Sequence, residues 1–238
     1  MKTILHTISI ILLAILMQSC SFNTIRGNGV ITEEIIPISD YNTIDFRGGA
    51  NLVYEQKTDA APYLRIEIDE NLYPLLTIDS NNEVLTLGRK ENISPTKYAI
   101  YTNSTSLEKL ITNGSIKAHL KGKITGGDIE FKVAGSGNIT CDDIECNSIT
   151  SRVSGSGDII LVGKTGKIDS SISGSGKVEA SAMSADTVFC SISGSGDFFV
   201  QVNKYLKVNV SGSGNVRYKG DPKIDQSISG SGKVVKVD

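Results

Sequence analysis

The sequence predicts an all-β protein: a parallel β-solenoid over residues 106–238, preceded by a β-rich N-terminal portion over residues 30–105. Three observations carry that reading. The tripeptide Gly-Ser-Gly begins at Gly135, Gly155, Gly174, Gly194, Gly212 and Gly230, at intervals of 18 to 20 residues, with Asn113-Gly114-Ser115 as a worn copy ahead of them. Self-similarity at such a period marks stacked units that cannot bury their apolar sides alone. Aligned on the first Gly, apolar residues fill fixed columns: Val133, Val153, Ile172, Ile192, Val210 and Ile228 two positions before it, and Ile139, Ile159, Val178, Phe198, Val216 and Val234 four positions after it. Polar residues such as Lys132, Arg152, Ser171 and Asn209 stand at odd offsets between them. That alternation of period 2 belongs to strands and not to helices.

Each repeat therefore reads as a strand, a Gly-Ser-Gly corner and a second strand, with neighbouring coils ~4.8 Å apart. The corner glycines Gly135, Gly137, Gly155, Gly157, Gly174, Gly176, Gly194, Gly196, Gly212, Gly214, Gly230 and Gly232 are expected as structural turn residues, because so tight a corner often needs a positive φ. Ser154, Ser173, Ser193, Ser211 and Ser229, together with the serine in the middle of every copy, are expected to form a hydroxyl ladder from coil to coil. The column three after the Gly reads Asn138, Asp158, Lys177, Asp197, Asn215 and Lys233. Its Asp158, Lys177 and Asp197 are expected to form a charge ladder that fixes register.

From the N-terminus, residues 1–19 read as an export signal: Lys2, then an apolar run from Ile4 to Met17, then Gln18-Ser19. The run is shorter than the ~20 apolar residues a membrane span needs. Met17-Gln18-Ser19-Cys20 resembles the lipobox of bacterial lipoproteins, which would make Cys20 the lipidated first residue of the mature chain. Residues 20–29 read as a tether. From Val30 to Tyr101 strand signals continue without the repeat, as where Leu64, Ile66 and Ile68 alternate with polar residues. Asn81-Asn82 reads as a hairpin turn, and only Asn71 to Leu76, interrupted by Pro74, hints at a helical turn. This portion is expected to cap the first coil, since an open solenoid end exposes strand edges. No cap is visible at the C-terminus, where Lys233, Lys236 and Asp238 place charge on the last strand.

Several functions are disfavoured by inventory. With 24 basic against 26 acidic residues the net charge is −2, which gives no footing for nucleic acid. His6 lies in the export signal and leaves His119 alone, too few for a His-based zinc site or a catalytic triad, and no base recurs beside the serines. Lys177 and Lys233 spoil a repeated calcium site. Gly163-Lys164-Thr165 matches only the end of a phosphate-binding loop, since position 158 holds Asp and a strand follows. Cys141, Cys146 and Cys190 read as buried free thiols, Cys141 and Cys190 at inward offsets on opposite sides of the corner. The outward column Glu130, Thr150, Asp169, Phe189, Lys207 and Asp225 gathers no set of carboxylates, although two on adjacent coils could pair. Trp is absent and Tyr is scattered, which weakens sugar stacking. No catalytic residue, metal or cofactor is expected.

The lipoprotein-like signal, the β-rich opening from Tyr41-Asn42-Thr43-Ile44-Asp45-Phe46 through Val84-Leu85-Thr86-Leu87, and the Ser-Gly-Ser-Gly repeats together resemble the autotransporter-adhesin head (GIN) domain family of Bacteroidetes-type envelope lipoproteins, over roughly residues 40–236. The resemblance implies a right-handed, pectin-lyase-like β-helix without catalytic residues and a role in adhesion. The expected function is that of a non-enzymatic, lipid-anchored cell-envelope protein of the outer membrane, an adhesin or binding module. It would work through the long solenoid face or the loops near Lys121 to Asp128 and Lys164 to Lys167. Its partners would be the membrane, through the lipid, and a glycan or an envelope or host surface protein. The alternative is a periplasmic structural or stress-related envelope protein, since Ser21-Phe22-Asn23-Thr24 lacks an acidic export cluster. A carbohydrate-active β-helix enzyme comes last.

Overall fold

In the computed structural model, which describes residues 24–238, the sequence repeat becomes a stack of strands hydrogen-bonded coil to coil. The export signal and Cys20 lie outside the described residues. The N-terminal portion holds β1 (Ile25–Arg26), β2 (Ile31–Pro37), β3 (Thr43–Gly48), β4 (Asn51–Gln56), β5 (Tyr63–Asp69), a 3-10 turn (Tyr73–Leu75), β6 (Leu76–Asn81), β7 (Val84–Arg89), β8 (Ile93–Ser94) and β9 (Tyr98–Ser104). Then follow β10 (Lys109–Gly114) and five strands that each run almost a full coil: β11 (Lys117–Gly135), β12 (Asn138–Gly155), β13 (Asp158–Gly174), β14 (Lys177–Gly194) and β15 (Asp197–Gly212). The last coil is β16 (Asn215–Lys219), β17 (Lys223–Gly230) and β18 (Lys233–Lys236).

The register is set by one column of glycines. Gly48, Gly114, Gly135, Gly155, Gly174, Gly194, Gly212 and Gly230 pair in succession across parallel strands. The worn copy at Gly114 is thus a true rung. A further rung lies at Gly48, where β3 pairs with β10 and β4 with β11, so the residues between β4 and β10 form an insertion in the coil path. Inside that insertion β7 and β9 extend the stack by one parallel strand each. Antiparallel β6 then covers β7, and antiparallel β5 and β2 cover β9. The N-terminal end of the stack therefore closes on antiparallel strands.

Two different demands make the corner glycines. At Gly155 φ is +115°, and a Cβ would lie 2.5 Å from the carbonyl oxygen of Gly135 one coil before. That oxygen accepts the Ser156 N–H at 2.9 Å, so it cannot yield. The second glycine of the corner, Gly157, has no positive φ; there a Cβ would stand 2.5 Å from Val133 Cγ1 and against the Gly137 carbonyl. Its smallness serves close stacking rather than backbone conformation.

Both expected ladders are corrected. The corner serines are exposed and no hydrogen bond joins their hydroxyls among the described residues; instead the backbone N–H of Ser156, Ser175 and Ser195 reaches the glycine carbonyl one coil before, each at 2.9 Å. At the corner the coil-to-coil bonds are carried by the backbone, and the exposed hydroxyls are left to solvent. The serine pair that does bond is inward and buried, Ser151 Oγ to Ser170 Oγ at 2.9 Å. Asp158 and Lys177 are aligned, but Asp158 Oδ1 accepts the Lys177 backbone N–H at 3.0 Å rather than pairing with its ammonium. Asn138 and Asp197 do the same for Asp158 and Asn215.

The inward columns make one continuous core. Ile129, Ile149, Ile168, Val188 and Leu206 are buried, as are Ile139, Ile159, Val178, Phe198 and Val216, each worth roughly 1.5–3 kcal/mol in burial. In the last coil Ile224 and Ile228 occupy the same columns yet remain 37% and 39% exposed, because no further coil covers them. Cys141 and Cys190 are buried, as their offsets predict, and Cys146 is half-buried. Burial pushes the Cys141 thiol up to about 12 and the Cys190 thiol upward as well. Among the described residues no helix is long and apolar enough to cross a membrane.

Candidate functional site: a polar cleft along one corner of the solenoid

At a corner remote in sequence from the Gly-Ser-Gly turns, the coils stack Thr125, Glu145, Lys164 and Ser184 in one column and Gly126, Cys146, Thr165 and Ala185 in the next. Asn147, Gly166, Asp186 and Asn203 follow them in their strands. These residues line a cleft of about 630 Å³, on which Gly126 and Gly166 leave backbone exposed. It crosses five strands, β11 to β15, a length of ~19 Å at one strand spacing per coil.

The floor is tied down. Thr165 Oγ1 donates toward the Asn147 and Lys167 carbonyls (3.2 and 3.3 Å), and the Cys146 thiol reaches Thr165 Oγ1 and the Ser148 carbonyl at 3.5 Å each. At one end the Gln56 carboxamide clasps Thr125: its Oε1 accepts the Thr125 N–H at 2.7 Å and its Nε2 donates to the Thr125 carbonyl at 3.1 Å. The charged rim is paired within itself. Lys123 and Lys164 each lie 2.8 Å from Glu145, and Lys204 lies 2.7 Å from Asp186. Asn203 Nδ2 donates to Ser184 Oγ (3.1 Å) and Asp186 Oδ1 (3.3 Å). The Lys123 and Lys164 ammoniums hold the Glu145 carboxyl down at about 2; Lys204, then Asn203, lower that of Asp186. Both carboxylates are ionised at neutral pH and can accept hydrogen bonds but have no proton to give. The exposed Asn147 carboxamide has no hydrogen-bond partner among the described residues.

The chain matches the family model described as "Putative auto-transporter adhesin, head GIN domain" over residues 40–222. It belongs to that family. Among solved structures this GIN domain is similar to a "putative lipid binding protein" of Parabacteroides distasonis, at 34% identity and TM-score 0.79, over 91% of this chain and 100% of that one. It is also similar to a "putative adhesin" of Parabacteroides merdae, at 30% identity and TM-score 0.74, over 90% and 99%. A "putative adhesin" of Bacteroides fragilis shares the fold at TM-score 0.85 and 24% identity, over 90% and 100%. No curated protein matches the chain.

The two stretches expected as loops are corrected to strand, inside β11 and β13, and part of each lines the GIN domain's cleft: Thr125 and Gly126 from the first, Lys164, Thr165 and Gly166 from the second. Glu145, Asn147, Asp186 and Asn203 were not foreseen. Glu145 stands ten positions before Gly155 as Lys164 does before Gly174, and Asn147 and Asp186 stand eight before Gly155 and Gly194, in unbroken register with the corner; those fixed offsets were the available signal. Only Asn203 lies beyond a slip, between Ala185 and Thr187. His119 stands apart in a surface pair, 2.7 Å from Asp142, which also accepts the Gly122 N–H at 3.0 Å. Among the described residues no cluster of three or more His, Cys, Asp or Glu is placed to hold a metal ion. Two of the scattered aromatics meet near the cleft: Phe189 and Tyr205 pack edge to face at 6.1 Å, with the Lys167 ammonium 4.9 Å from the Phe189 centroid. They meet because Thr187 is opposite Tyr205, making Phe189 its diagonal neighbour on the same outer face. Phe189 also lines a second depression of about 420 Å³ with Arg152, Asp169, Lys207 and Asn209.

Proposed function

We propose that this GIN domain is a non-enzymatic binding module of the cell envelope, held at the outer membrane by a lipid on Cys20, and that the corner cleft is its binding surface. The observation that carries the reading is the cleft's chemistry: ionised Glu145 and Asp186, each satisfied by ammoniums, beside the unengaged Asn147 carboxamide. Glycoside hydrolysis needs one carboxyl kept protonated near neutral pH, and neither rim carboxylate is in that state. The adhesin family, with relatives described as adhesins, supports an envelope role, and the Lys2 to Cys20 segment supports export and lipidation. An acyl chain, which the name of the Parabacteroides distasonis relative suggests, meets no aliphatic or aromatic side chain among the residues that line this cleft.

The test is capture of solubilised envelope components by the purified domain, comparing wild type with Asn147→Ala and Asp186→Asn. Loss of capture in both variants with unchanged thermal midpoints is expected; undiminished capture overturns the cleft as the surface. Fractionation of a Cys20→Ala form checks the anchor, which predicts release from the membrane pellet.

A further inference from the structure

We propose that the cleft takes a neutral, linear glycan lying along the solenoid axis, its hydroxyl groups bonded to Asn147, Asp186 and Thr125. The proposal rests on the cleft being the binding surface and adds the ligand class. Direction comes from the coils: polar groups recur once per ~4.8 Å strand spacing over ~19 Å, which suits a chain of several pyranose rings and is far longer than one sugar needs. Chemistry comes from what is free and what is spent. Glu145 is engaged by two ammoniums and Asp186 by one, so each of these rim charges already has an opposite partner with which a charged ligand would compete. A hydroxyl can instead accept from Asn147 and donate to a carboxylate lone pair left open.

The floor agrees with a sugar and not with a peptide. Gly126 and Gly166 allow a ring to approach the backbone, whereas a bound strand would need pockets for alternate side chains, and no aliphatic or aromatic side chain among the lining residues builds one. Just past the cleft, three residues beyond Asp186 and two beyond Asn203, the Phe189–Tyr205 pair lies on the adjoining sheet face, a place for the apolar face of a ring.

The experiment measures binding of the full described domain to graded neutral oligosaccharides (β-linked glucose, mannose, xylose and N-acetylglucosamine series) and to an anionic polysaccharide, at low and high salt. Affinity for at least one neutral series is expected to rise with chain length and then level, to change little with salt, and to fall about tenfold in Asn147→Ala, the loss of roughly one good hydrogen bond. The Asn147 side chain has no hydrogen bond to lose among the described residues, and its backbone carbonyl, which accepts from Thr165, is kept in the variant, so the fold is kept. Binding to the anionic polymer alone, weakened by salt, overturns the proposal. So does neutral binding that is indifferent to length or to Asn147→Ala. If the neutral panel is silent while envelope capture still depends on Asn147 and Asp186, the glycan class falls and the cleft stands; if neither depends on them, both fall.

Discussion

Replacing glycines of the coils by alanine, at Gly122 inside β11 and at two corner positions, separates the two demands the fold places on them. Gly122 has φ +76° with nothing within 4 Å of where a methyl group would sit, so Gly122→Ala meets backbone strain alone, about 1–2 kcal/mol. Gly137 has no positive φ, but its Cβ would lie 2.6 Å from the Ile116 carbonyl oxygen and 3.0 Å from its nitrogen. Gly137→Ala therefore meets crowding without backbone strain, on the order of 1–3 kcal/mol as in overpacking, with the Asn138 N–H bond to the same oxygen, 2.8 Å long, weakened as well. Gly194 combines both: φ is +123° and its Cβ would stand 2.5 Å from the Gly174 oxygen, which accepts the Ser195 N–H at 2.9 Å. Strain, overpacking and a weakened hydrogen bond together put Gly194→Ala at about 3–5 kcal/mol. At ~2–4 °C per kcal/mol for a chain of this size, its midpoint falls by roughly 6–20 °C. Ser195→Ala, which removes only an exposed hydroxyl, stays within about 0.5 kcal/mol. Thermal unfolding followed by circular dichroism ranks the four. Equal midpoints for Gly194→Ala and Ser195→Ala would refute the corner model, and a Gly122→Ala loss as large as that of Gly194→Ala would refute its steric half.

Three further outcomes follow from the core and its charges. Ser151→Ala leaves the buried Ser170 hydroxyl without its partner and costs about 1–2 kcal/mol in urea unfolding, while Ser151→Ala with Ser170→Ala costs less than the sum of the singles; strict additivity would contradict the pair. Asp69 is held at about 2, chiefly by the Thr96 hydroxyl against the cost of burial and with help from the Gly29 and Thr96 N–H groups. A carboxyl lowered on folding contributes stability above its unfolded pKa of ~3.9 and loses it as pH falls through the folded value. Proteolysis near Gly29 should accelerate between about pH 4 and pH 2, and Asp69→Asn should remove that acid step. In a Cys20→Ala form the Cys141 and Cys190 thiols stay unreactive to alkylation at mildly alkaline pH until the protein unfolds, with half-buried Cys146 reacting first; early labelling of Cys190 would contradict the packing.

The fold was legible because its information is periodic. Residues such as Val153, Ile172 and Ile192 report the same inward position again and again, and Gly155 and Gly174 fix the phase of each coil. Gly48 escaped because Arg47-Gly48-Gly49 lacks the middle serine and the insertion separates it from Gly114, yet it joins the same column. The cleft was legible only by halves. Lys164 to Lys167 stood out, while Glu145 and Asp186 keep fixed distances from Gly155 and Gly194 that a reading of the apolar columns passes over, and Asn203 comes into line only after a coil-specific slip in register. The serines misled for a physical reason: their recurrence reflects outward corner positions, while the coil-to-coil bonds run through the backbone beside them.

Lysine labelling read by mass spectrometry, with and without a bound envelope fraction, locates the binding surface without presupposing its ligand. Lys164 and Lys204 stand on the cleft rim, Lys132 and Lys207 on the outer sheet face, and Lys233 and Lys236 on the last coil. Binding in the cleft predicts protection of Lys164 and Lys204 with the other four unchanged. Protection confined to Lys132 and Lys207, or to Lys233 and Lys236, would place binding elsewhere on the solenoid and contradict the cleft.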